Sequence, residues 1–157
     1  MSETVCVRTM RTEDVPQVAL LEKQIFSRPW SVDSFEKALT YPEQILLVAE
    51  ETAGKKKAIH GYSILFAAAD QADVSNIAVD PAFRGQKIGD ALMREMLNGA
   101  KEKGVREVFL EVRESNAPAI GLYQQYGFSQ IGVRKAYYEA PTEDALLMKM
   151  EFDQNEQ

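Results

Sequence analysis

Glu111 and Tyr123 stand on either side of the run Ser115-Asn116-Ala117-Pro118, and both are residue types that move protons. A carboxylate takes a proton from a nucleophile, and a phenol returns one to a departing group. Transfer of an acyl group to an amine needs both. An α-ammonium of pKa ~8 must lose its proton, the carbonyl oxygen must be steadied as charge develops, and the leaving group must be protonated. A plainer reading stands beside each residue. Glu111 fits an exposed strand carboxylate, and Tyr123 fits a core tyrosine on one face of its helix.

Upstream, Asn76-Ile77-Ala78-Val79-Asp80-Pro81 ends a strand, and Arg84-Gly85-Gln86-Lys87-Ile88-Gly89 leads directly into a helix. Such a turn offers unpaired backbone N–H groups and the positive end of a helix dipole, which suit a pyrophosphate. An ordinary strand-to-helix turn has the same composition, so the pattern alone leaves both readings open. His60 is the sole histidine and Cys6 the sole cysteine. With no carboxylate or serine partner in view, His60 is read as structural, and Cys6, in an apolar first strand, as a small core residue. A single cysteine rules out an intramolecular disulfide, a CxxC redox pair and a cysteine-built zinc site, and no metal is expected.

The elements that must position these groups follow from periodicity. Val5 to Met10 reads as a strand. A helix opened by Thr12 to Pro16 carries Val18, Leu21 and Ile25 at helical spacing, and a second, started by Ser31, carries Phe35, Ala38 and Leu39. Ile45 to Val48 and Ala58 to Ala69 form a hairpin around the polar turn Thr52 to Lys57, and Val74 to Val79 is the next strand. The helix from Ile88 to Lys103 buries Ala91, Leu92, Met96 and Leu97 and stops at Gly104. Val105 to Arg113 is a strand, Pro118 opens a helix that runs to Gly127, and strands near Gln130 to Tyr138 and Ala145 to Met150 close the chain.

This order predicts a mixed α/β (α+β) domain over residues 4–150, with a polar tail over 151–157. The sheet should be mostly antiparallel, with one parallel pairing where a helix connects Val79 to Val105. The chain has 157 residues, a formal charge of −6, 45% hydrophobic and 27% charged residues, a composition that fits one globular domain. The acidic balance argues against direct nucleic-acid binding. No segment approaches the ~20 apolar residues of a membrane span. Met1 to Met10 lacks the basic start and apolar run of an export signal, so a cytoplasmic location is expected.

Arg84-Gly85-Gln86-Lys87-Ile88-Gly89 resembles the coenzyme-A loop of the GNAT superfamily, written Q/R-x-x-G-x-G/A. Lys87 occupies the place of that pattern's first glycine. The loop is expected to avoid a positive φ there, the alternative being a strain of ~1 to 2 kcal/mol. A more specific signature is Leu110-Glu111-Val112-Arg113-Glu114-Ser115-Asn116 with Leu122-Tyr123 and Gly127-Phe128. It is similar to the branch that acetylates the N-terminal alanine of the eighteenth small-subunit ribosomal protein. Pro29-Trp30-Ser31, Asn76 to Val79, Tyr137-Tyr138 and Glu143-Asp144-Ala145 extend the likeness from Val7 to Met150.

The resemblance implies a GNAT fold of about seven strands flanked by four helices, and acetyl-CoA as acetyl donor with no metal. It implies that Ile77, Ala78 and Val79 lie along the pantetheine arm, with a Val79 N–H toward the thioester carbonyl. Arg84, Gly85, Gln86, Lys87, Ile88, Gly89 and Asp90 would hold the phosphates, and Asn116 would contact CoA. Glu111 becomes the general base acting through water, and Tyr123 the acid that protonates the CoA thiolate. The expected acceptor is a ribosomal protein N-terminus, with the enzyme acting as a monomer. Glu114, Glu139 and Glu143 are candidates to attract a basic peptide, and Trp30, Tyr137 and Tyr138 either pack or line the peptide site. Rival readings are acetylation of lysine side chains or small amines, and a non-catalytic acetyl-CoA-binding module.

Overall fold

The β-rich runs join into one seven-stranded sheet in a computed structural model that describes residues 5–53 and 57–153. Residue 4, residues 54–56 of the expected polar turn and residues 154–157 of the expected tail lie outside the described residues. The chain runs β1 (Val5–Thr9), α1 (Val15–Ile25), α2 (Val32–Ala38), β2 (Ile45–Glu51), β3 (Ala58–Ala68) and β4 (Gln71–Val79). It continues through α3 (Ile88–Glu102), β5 (Glu107–Arg113), α4 (Ala117–Gln125), β6 (Ser129–Tyr138) and β7 (Glu143–Glu151). The order across the sheet is β1-β2-β3-β4-β5-β7-β6. Among the described residues only β4 and β5 pair in parallel, across the α3 crossover that the sequence predicts.

Local chemistry sets the helix ends. The Ser31 hydroxyl accepts the Ser34 N–H at 3.1 Å to cap α2, and Asn116 Oδ1 accepts the Ala119 N–H at 3.3 Å to cap α4. Gly104, at φ 86°, takes the left-handed turn that releases the chain from α3. Helices then cover both faces of the sheet. On one face Ile88, Leu92, Met93, Met96 and Leu97 of α3 pack with Leu47, Val74, Val108, Leu110 and Val112. On the other, Val18 and Leu21 of α1 and Phe35 of α2 pack with Leu46, Val48, Tyr62 and Ile64. Each such side chain contributes ~1.5 to 3 kcal/mol by leaving water.

β4 carries the irregularity that makes room for a site. Ile64 pairs with Asn76, yet Leu65 pairs with Val74, so Ser75 is an extra residue, a β-bulge. The bulge exchanges the two faces of the strand. Ala72 and Val74 before it join the α3 core, whereas Ala78 after it joins the α1–α2 core and Ile77 and Val79 turn toward α3. The parallel ladder ends at Val74 and Leu110, although β4 runs on to Val79 and β5 to Arg113. A wedge opens between their C-terminal halves.

Element boundaries differ from expectation where propensity is weak. β4 and β2 are longer than the apolar runs, because ladder bonds carry Gln71, Ala72, Asp73, Glu50 and Glu51 along with them. Glu151, expected in the tail, pairs with Glu107 at the end of β7. Cys6 is exposed rather than a core residue, since β1 is an edge strand on which Val5 takes the inward position. His60 is buried and stacked on Phe83, with ring centroids 3.5 Å apart. It does have a carboxylate neighbour, Glu51 Oε2 at 3.5 Å. No helix among the described residues is long and apolar enough to cross a membrane.

Candidate active site

The wedge between β4 and β5 opens on a cleft of about 780 Å³, walled by Ile77, Ala78 and Val79 on one side and by α4 on the other. Its end is formed by Arg84, Gly85, Lys87, Ile88, Gly89 and Asp90, and Asn116 and Tyr123 complete the α4 side. Of the residues that the sequence assigns to a cofactor, only Gln86 does not line this cleft. The first helical bond of α3 runs from the Ala91 N–H to the Lys87 carbonyl at 3.1 Å. The N–H groups of Ile88, Gly89 and Asp90 therefore have no partner within the helix. Asp80 N–H donates to the His60 carbonyl at 2.8 Å, toward β3. By strand alternation, Ala78 also faces β3, and the backbone groups of Ile77 and Val79 face the wedge.

Lys87 corrects the sequence expectation. Its φ is 63° and ψ 24°, so the loop accepts the left-handed conformation instead of avoiding it. Gly85, at φ 84°, is left-handed as well, and nothing lies within 4 Å of where its Cβ would be. Two left-handed residues so close together curl the backbone and direct successive N–H groups inward, a concavity that suits an anion. The end loop and the α3 N-terminus therefore give one end of the cleft the donors that a phosphate takes.

A second cleft, of about 890 Å³, adjoins the first on the α1–α2 side. Ile25, Phe26, Ile77, Asn116 and Tyr123 line both. Glu111 belongs to the second cleft alone, because β5 turns Val108, Leu110 and Val112 into the α3 core and Glu111 the other way. Its carboxylate lies 3.3 Å from Arg134 Nε. The neighbouring Glu111 carboxylate, with partial burial, raises the Tyr137 hydroxyl above its ordinary value. Burial and the charge of Glu111 push Tyr138 up to about 12, and the same two causes raise Asp73. The Tyr123 hydroxyl is pushed up by burial and then by Tyr138, so it is a protonated phenol at neutral pH.

The structure thus brings Tyr123, Ile77 and Asn116 to the junction of two clefts and sets Glu111 in one of them. Trp30, Tyr137 and Tyr138 line the second cleft. Two of the expected acidic attractors are already engaged: Glu139 pairs with Arg28, and Glu143 with Arg113 at 3.2 Å. His60 lines neither cleft. Sequence reasoning missed Arg134, Asp73 and Glu22, which reach the second cleft from β6, β4 and α1. No local pattern marks them, since Arg134 and Asp73 meet Glu111 only through the sheet and Glu22 reaches the cleft only through the packing of α1.

Known proteins bear on this geometry. The family model described as acetyltransferase (GNAT) family matches residues 15–128. A Bacillus subtilis relative provisionally named [ribosomal protein bS18]-alanine N-acetyltransferase is 41% identical over 94% of this chain and 96% of its own. The [ribosomal protein bS18]-alanine N-acetyltransferase of Escherichia coli K12 is 34% identical over 92% of this chain and 95% of its own. The crystal structure of the Escherichia coli ribosomal-protein-alanine N-acetyltransferase superposes with a TM-score of 0.83 at 28% identity, covering 96% of this chain and 97% of the other. The two joined clefts sit on the sheet of an acetyltransferase, and this chain belongs to the GNAT family.

Proposed function

We propose that the protein transfers the acetyl group of acetyl-CoA to the N-terminal α-amine of a protein, the alanine that begins ribosomal protein bS18. The observation that carries this reading is the junction at Tyr123, where a cleft suited to a phosphorylated thioester meets one that holds Glu111. The names of the relatives support the acceptor.

In this reading the N–H groups of Ile88, Gly89 and Asp90 and the Arg84 and Lys87 side chains bind the phosphates of the donor. The pantetheine amides take the place of the missing β5 partner and pair with the outward backbone of Ile77 and Val79. The Val79 N–H steadies the oxyanion as the amine attacks the thioester carbonyl directly. Glu111 removes the amine proton through a water, and Tyr123 protonates the thiolate as the C–S bond breaks. Arg134 and Tyr137 orient Glu111 between them.

Purified bS18 incubated with acetyl-CoA and the enzyme tests the acceptor, with tandem mass spectrometry locating the label. One acetyl group on the α-nitrogen of the first alanine is expected. Acetyl groups confined to lysine Nζ atoms would reject the acceptor.

A further inference from the structure

Glu22 is 1% exposed, on the face of α1 turned to the sheet. Its Oε1 accepts hydrogen bonds from the Tyr62 hydroxyl of β3 and from Asn76 Nδ2 of β4, the latter at 2.7 Å. Its Oε2 accepts the backbone N–H of Trp30 at 2.9 Å. All three donors are neutral, and no cationic side chain bonds to Glu22 among the described residues. A buried carboxyl group with no counter-ion is held only by the hydrogen bonds it accepts. An apolar side chain at this position would leave all three donors without an acceptor, so Glu22 is the shared acceptor of a joint that ties α1 to β3, to β4 and to the segment after α1.

The joint links two parts of the site. Trp30 lies in the segment between α1 and α2, whose Phe26, Ser27 and Arg28 wall the second cleft together with Glu22 and Asn76. Asn76 immediately precedes Ile77, which lines both clefts. The Trp30 ring is held in turn against Phe66, with centroids 5.7 Å apart and planes at 29°, and against Phe35 at 5.2 Å.

We infer that Glu22 is a positioning residue for acetyl transfer, fixing the α1–α2 wall of the acceptor cleft at a set distance from the strand that presents the thioester. The inference rests on the reading of the second cleft as the acceptor site. It assigns to Glu22 an effect on acceptor binding that is separate from donor binding.

Glu22→Gln preserves volume but turns an N–H toward at least one of the three donors. Steady-state kinetics with an alanine-starting peptide should show the peptide KM raised about tenfold, the cost of one broken buried hydrogen bond, and the acetyl-CoA KM changed less than about twofold. Tyr62→Phe removes one donor and should move the peptide KM in the same direction by a smaller factor. Trp30 is the sole tryptophan, so its fluorescence reads the wall without reference to activity. A red shift and stronger acrylamide quenching are expected in Glu22→Gln, with acetyl-CoA affinity by calorimetry unchanged. An unchanged peptide KM or unchanged Trp30 emission in folded Glu22→Gln would overturn the inference, as would equal changes in both KM values. If Glu22→Gln fails to fold, Tyr62→Phe decides by the same readouts. A wild-type protein that binds acetyl-CoA yet acetylates no peptide would instead reject the acceptor reading, with the Trp30 signal still reporting whether the joint exists.

Discussion

Tyr123 owes its chemistry to its surroundings. Burial against Phe128, with ring centroids 5.9 Å apart, and the nearby Tyr138 phenol both oppose its ionisation. A raised phenol keeps its proton as pH rises past the ordinary value of 10, so the rate should show no alkaline fall below about pH 10 if Tyr123 is the acid. A kcat/KM profile against pH checks this, and a downturn between pH ~8 and ~9 would remove Tyr123 from the role. Glu111→Gln and Tyr123→Phe should each lower kcat by about 10² to 10⁴ while acetyl-CoA binding by calorimetry changes little. Both residues were legible from their motif, and strand alternation alone told which way Glu111 points. Arg134, which pairs with its carboxylate, and Tyr137 beside it were not legible as partners. They come from β6, which reaches Glu111 across β7, a neighbour relation that no spacing in the sequence expresses.

At the scale of elements, the end loop of the first cleft bears a strain. Lys87 at φ 63° lacks the freedom of glycine. Lys87→Gly should raise the unfolding free energy by about 1 kcal/mol in urea titration, while weakening acetyl-CoA binding through loss of a cation. A second element-scale device anchors β1. Arg8 bonds Asp14 at 2.8 Å and also Glu50. Arg8 holds Glu50 below the usual carboxylate range. Burial opposes the ionisation of Asp14, yet bonds from Arg8 and the Arg11 N–H outweigh it and lower it too. A lowered carboxylate stabilises the fold above its unfolded pKa, and that contribution fades as pH falls through the folded value. Arg8→Ala should therefore cost about 3 kcal/mol near pH 7 and distinctly less at pH ~3, below the ordinary carboxylate values of 3.8 and 4.5, measured by urea unfolding at both. The caps at Ser31 and Asn116 and the stop at Gly104 could be read from residue type. The wedge could not. Val74 to Val79 reads as an unbroken strand, and the bulge at Ser75 exists only against the register of β3.

The whole molecule depends on its last hairpin. The family match ends at residue 128, yet β7 lies between β5 and β6 and pairs along all of β5 from Glu107 to Arg113. A chain cut after Phe128 would expose the edge of β5 and uncover Val108, Leu110 and Val112. It should lose cooperative thermal unfolding and its near-ultraviolet circular dichroism. The alternation of strands and helices made the α/β class and the single parallel pair readable from the sequence, because a crossover helix dictates them. It did not reveal that two clefts meet at Tyr123, since their walls come from α1, β4, β5, α4 and β6 together. That meeting is what the functional account requires. Its most direct test is CoA release from acetyl-CoA with two synthetic peptides, one starting with a free alanine and a copy blocked at its N-terminus that keeps a lysine. The account predicts turnover with the free terminus alone, and a preference for the blocked lysine peptide would contradict it.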